Sequence, residues 1–191
     1  MTELLVDPAV TREKFEREVA TFRAVEDDHR QRGCFLYRAT FPEVVVLFTT
    51  PKVRPAMLVF GARIDFSNYD LWAPSVQLVD PFTLAPYRLR EAPTRLTRAM
   101  RVTPEGAPQP AFQAANLLIA HNEEDIPFVC MPGTREYHEH PAHTGDSWLL
   151  HRGLGEGTLA HIVTVLARHG IEHARPHIQM RVGIEYGEIV E

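Results

Sequence analysis

Cysteine is scarce in this chain. Cys34 and Cys130 are the only two among 191 residues, too few for a disulfide framework. Long hydrophobic runs are missing as well: none approaches the ~18 residues needed to span a bilayer. The opening stretch "MTELLVDPAVTREKFEREVA" has no basic segment leading into an apolar one, so no secretory leader is read there. These absences together predict a reduced, cytoplasmic setting. Excess positive charge is also lacking. A net charge of −5 offers no general attraction to nucleic acid or anionic lipid, and neither is expected as a partner. The one local concentration of basic residues, Arg88, Arg90, Arg95, Arg98 and Arg101, reads as a solvated face rather than an anion site. There is no internal repeat and no low-complexity segment.

What remains is the composition of a globular protein, 45% hydrophobic and 24% charged, of a length suited to one domain over residues 1–191. Val10, Phe15, Val19, Phe22 and Val25 recur at spacings of three to five, which predicts an amphipathic first helix capped by Asp7 or Thr11. "CFLYRAT", "EVVVLFTT", "AMLVFGARI" and "PSVQLVDP" are short β-branched or aromatic runs separated by prolines, the pattern of a four-strand antiparallel meander. From Phe82 to Pro110 the prolines predict an irregular connection, followed by "AFQAANLLIA" as a short helix and "IPFVCM" as an extended run. "TLAHIVTVLARHG" carries helical periodicity and is expected to end at Gly170. "HIQMRVGIEYGEIV" reads as a final strand. The fold class is therefore α+β, with helices segregated from an antiparallel sheet.

The densest chemistry lies in "FVCMPGTREYHEHPAHTGDSW", residues 128–148. Alternate side chains of an extended segment share a face, so Glu136, His138 and His140 would point together there. His143 would turn back from beyond Pro141, and Cys130 would join from before the Pro132–Gly133 turn. Thiolate, imidazole and carboxylate form the ligand set of zinc, which takes four tetrahedral ligands. Cys130, Glu136, His138, His140 and His143 exceed those places, so at least one stands outside the coordination sphere. Asp146 is a candidate acceptor for the outer N–H of a ligating histidine. His29, His151, His161, His169, His173 and His177 read as ordinary surface histidines.

On Cys130, Glu136 and two of His138, His140 and His143, the segment from about 128 to 150 resembles the bacterial CEHH family of predicted metal-binding domains. That resemblance implies zinc, and association with a ubiquitin-like protein or its activating or conjugating enzyme. A broader likeness is to the ubiquitin-conjugating fold, in which a helix and a four-strand meander precede an aromatic- and proline-rich turn like "FSNYDLWAPSVQLVDP". In that fold an asparagine stands eight residues before a catalytic cysteine. Here Asn122 stands eight before Cys130, although the neighbouring proline is absent and Trp148 follows the cysteine by 18 residues rather than closely. "EYHEHP" is similar to the His-x-His-Pro of JAMM metallo-isopeptidases, but the positions of that family's serine and aspartate hold Trp148 and His151. A cupin-like His-x-His lacks its following glutamate.

The expectation is thus a zinc-binding, non-catalytic accessory protein of a ubiquitin-like modification pathway with a ubiquitin-conjugating-like fold. The alternatives are a transthiolation enzyme, with Cys130 as nucleophile and Asn122 stabilising the oxyanion, and a zinc hydrolase or isopeptidase with Glu136 as general base.

Overall fold

A computed structural model describes residues 5–102 and 111–172. Helix α1 (Pro8–Ala24) opens where Asp7 accepts the Ala9 N–H at 2.8 Å, with Pro8 in its first turn, where a missing N–H costs nothing. Thr11, the other candidate cap, is buried instead. Phe15, Val19 and Phe22 form the buried stripe, while Val10 and Val25 at its ends are exposed. A short helix α2 (Glu26–Gln31) follows, and its His29 is not a surface residue: it is buried and stacked on Phe22 with 4.3 Å between ring centroids.

Strands β1 (Cys34–Thr40), β2 (Glu43–Thr50), β3 (Met57–Asp65) and β4 (Ser75–Val79) pair in sequence order as an antiparallel sheet. One face presents Val44, Val46, Phe48, Phe60, Ala62, Ile64, Val76 and Leu78 to α1 and to α5 (Leu159–Ala167), whose Leu159, Ile162, Val163 and Leu166 complete the core. Full burial of each such side chain stabilises by about 1.5–3 kcal/mol. Cys34 is fully buried in this cluster as a small apolar group.

Three expectations are corrected. The segment after β4 is not wholly irregular: β5 (Thr97–Val102) lies within it and pairs with β6 (Ala111–Asn116). "AFQAANLLIA" is not a helix; it forms β6 and then β7 (Leu118–Ile119), which pairs with β8 (Phe128–Val129). Six cross-strand partners along β5 and β6 outweigh the alanine-rich segment's local helix preference. Nor does Gly170 end the last helix. The chain continues in a π-helical turn from Arg168 to Glu172, and Gly170 serves close packing, because a Cβ there would stand 2.7 Å from the Phe60 ring. The expected final strand at 177–190 lies outside the described residues. Among those described, no helix is long and apolar enough to cross a membrane.

Candidate functional site

Cys130 follows directly on β8, and its N–H donates to Leu117 O at 2.7 Å, which extends the β7–β8 pairing by one bond. The chain then turns through Gly133, whose φ of +88° suits glycine. Buried Thr134 braces the turn, its hydroxyl 2.8 Å from Val129 O and 2.9 Å from Met131 O. Residues Arg135–Glu139 form a short helix, α3. This overturns the extended reading of "REYHEH". Side chains two apart on a helix point to nearly opposite sides, so Glu136 and His138 diverge.

Glu136 points beneath the sheet edge, where it accepts hydrogen bonds from the Ser75 hydroxyl and, at 3.4 Å, from Val76 N–H. Burial pushes its carboxyl pKa up, and the Ser75 hydrogen bond opposes that rise. Arg135 anchors the same helix by donating to Ser67 O at 2.8 Å while its guanidinium lies 5.1 Å over the Trp72 ring. His138 is fully committed: its Nε2 accepts the Gly133 N–H at 3.1 Å, which leaves Nδ1–H to donate to Asp146 O at 2.8 Å.

Cys130 and His143 do meet. The thiol Sγ lies 3.3 Å from His143 Nε2. His143 ends a 3-10 turn (Pro141–His143), and the Tyr137 ring stacks on it at 3.9 Å between centroids. His140 stands beside it, 5.8 Å between ring centroids, with Nδ1 accepting the Ala142 N–H at 3.1 Å. Burial raises the Cys130 pKa, partly opposed by the Arg98 charge. His140 and His143 line a cleft of about 540 Å3 that Leu71, Trp72, Trp148 and Leu149 also enclose.

Asp146 lines the cleft, and while its backbone carbonyl accepts from His138 Nδ1, its carboxylate is engaged elsewhere. Its carboxylate accepts from Tyr137 OH at 2.7 Å and pairs with His151 Nε2, while His151 Nδ1 pairs with Glu156. Donation from both nitrogens requires the imidazolium. The Asp146 bond first, and then Glu156, raises the His151 pKa, and the His151 and Tyr137 hydrogen bonds lower that of Asp146. In the sequence His151 reads as a surface histidine, yet its side chain is only 17% exposed. Its role was missed because its two acidic partners lie on either side of it in sequence with no motif to mark them. Asn122 is exposed, and its side chain is held within its own turn, donating to Asp125 at 2.7 Å and accepting from Glu124 N–H at 2.9 Å.

Two ligands of one tetrahedral zinc, at ~2.3 Å for sulfur and ~2.0 Å for nitrogen, stand roughly 3.5 Å apart. The Cys130–His143 separation fits that requirement, while His140 stands 5.8 Å from His143 between ring centroids. Glu136 is held by Ser75 and Val76, His138 by Gly133 and Asp146, and His140 Nδ1 by Ala142. Among the described residues no group of three or more histidine, cysteine, aspartate or glutamate side chains converges as a preformed cage.

The family described as Y4jH-like matches residues 6–174 of the sequence. A protein of Sinorhizobium fredii (strain NBRC 101917 / NGR234), named y4jH and uncharacterized, is 42% identical over 190 residues, which cover 93% of this chain and 92% of that one.

Proposed function

On the premise that the chain belongs to the Y4jH family, we propose that it is a zinc-binding accessory protein of a ubiquitin-like modification pathway. The observation that carries the metal is the 3.3 Å approach of the Cys130 thiol to His143 Nε2, with His140 as third ligand. Three protein ligands would leave one position for water or a partner's side chain. Zinc bound there would tie the turn after β8 to the 3-10 turn, adding binding energy to folding energy. The pathway is supported by the CEHH-like residues and by the order of helix, meander and cysteine that resembles the ubiquitin-conjugating fold. Its partner is then a ubiquitin-like protein or the enzyme that activates or conjugates it.

The same 3.3 Å contact supports a second reading, in which His143 is the base of a nucleophilic Cys130. Two observations weigh against it: burial raises the thiol pKa, and the Asn122 amide is bonded to Asp125. Elemental analysis of untagged protein should find about one zinc per chain. Cys130→Ser and His143→Ala should lose the metal, and Glu136→Gln should keep it. Absence of zinc from the wild-type protein, together with a thiol-sensitive adduct of a charged ubiquitin-like protein on Cys130, would sink the first reading and promote the second.

A further inference from the structure

The ribbon of β5 and β6 belongs neither to the four-strand sheet nor to the β7–β8 pair. Among the described residues its two strands pair only with each other, and a two-stranded ribbon alone is marginal in water. Only Arg98 and Ala115 are half-buried; every other residue of both strands is exposed, Phe112 to 76%. β6 holds no proline and no charged residue, the devices that usually blunt a free edge.

The two strands differ as edges. β5 carries Arg98 and Arg101, and its start is met by His169, whose Nδ1 lies 3.2 Å from Thr97 O. A second β5 laid against it would set arginine near arginine. β6, by contrast, offers an uncharged edge that its own copy can approach without repulsion. Its side chains complement themselves as well. The register sets Phe112 opposite Arg101 and Ala114 opposite Ala99, all on one face. There Thr97, Ala99, Phe112, Ala114 and His169 line a groove of about 380 Å3. Small side chains thus lie directly beside a large exposed ring.

We propose that β6 pairs antiparallel with β6 of a second copy of this chain, about a two-fold axis at Gln113. In that register Phe112 of each copy stands opposite the partner's Ala114 and fills the groove over Ala99 and Ala114. Knob and hole share one face, so a single two-fold rotation satisfies both, as an isologous interface requires. On the opposite face the two Gln113 side chains meet and can exchange amide hydrogen bonds. The two ribbons become one four-stranded sheet. The interface uses neither Cys130 nor the histidines of the cleft, so it goes beyond the zinc reading and stands independently of it.

Six residues and one ring per copy are small against the ~1,200–2,000 Å2 of a stable interface, so the dissociation constant should be on the order of 10 µM. Sedimentation of the full chain across that concentration should show a reversible monomer–dimer equilibrium, unchanged by a chelator. Phe112→Ala should weaken the dimer by at least about tenfold. Gln113→Lys, which sets like charges on the axis, should abolish it. Both positions are exposed, and far-ultraviolet circular dichroism checks that the variants stay folded. Leu154→Ala, at an exposed leucine elsewhere, should leave the dimer as it is. Gln113→Cys should cross-link two chains under mild oxidation, with the bridge mapping to position 113. A wild-type protein still monomeric at about 200 µM, well above the expected constant, overturns the proposal. So does a dimer that survives Gln113→Lys in folded protein, or one that dissociates when metal is removed. Zinc content should be equal in the wild type and in Phe112→Ala. A protein that dimerises through β6 without zinc leaves the inference standing while the metal reading falls.

Discussion

A histidine held between two carboxylates, as His151 is between Asp146 and Glu156, makes the site's integrity depend on pH. The folded-state pKa of His151 is raised. Its contribution to stability is therefore complete below the unfolded value of about 6.5 and fades as pH rises through the higher folded value. Asp146 behaves oppositely. Its folded pKa is lowered, so its contribution is present above the ordinary carboxylate range and is lost as pH falls through the folded value. The two overlap in mildly acidic solution. His151→Gln should therefore lower the melting temperature most at about pH 5.5, with the difference shrinking by about pH 9. A difference that stays constant across that range would mean the imidazolium contributes nothing. Glu136 has the reverse sign from Asp146, since burial raises its pKa. Its ionisation opposes folding above the unfolded value, so Glu136→Gln should keep both fold and metal.

At the scale of elements, the legible parts were those with a long period or a shared face. Phe15, Val19 and Phe22 announced α1, and four β-branched runs announced the meander. Leu159, Ile162, Val163 and Leu166 announced α5. The site was legible in composition but not in geometry. Alternation in "EYHEH" looked like a strand, yet a single helical turn made five residues long has too few positions to show its own period. Arg135 fixes that turn through Ser67 O and Ala73 O, 68 and 62 residues away in the chain, contacts no local pattern can encode. The junction of α4 (Trp148–His151) with α5 depends on another such contact. Trp148 donates its indole N–H to Asp70 O at 2.9 Å and lays its ring against Gly157, where a Cβ would overlap it. Gly157→Ala should cost about 1–3 kcal/mol through overpacking, seen as a melting temperature lower by roughly 2–10 °C. An unchanged melting temperature would show that Trp148 can move aside without loss.

The molecule as a whole joins its candidate site to its core rather than hanging it from a loop. Val129, Met131 and Trp148 belong to the same buried cluster as the sheet, α1 and α5. Glu18 of α1 bridges further, accepting from Tyr69 OH at 3.1 Å and from the Leu159 N–H at 3.0 Å. A site built this way should not melt separately, because opening the cleft exposes side chains on which the sheet also packs. The chain's two tryptophans, Trp72 and Trp148, both line the cleft. Their fluorescence therefore reports the site, while far-ultraviolet circular dichroism reports the sheet and helices. In metal-free protein the two denaturation curves should coincide, as two-state unfolding requires. Zinc should move both midpoints upward together, because a ligand bound only to the native state stabilises everything that unfolds with its site. A fluorescence transition that precedes loss of the dichroism signal would instead make the segment from Cys130 to Gly157 its own unfolding unit. Metal would then order that segment alone, and the sheet's midpoint would stay where it was.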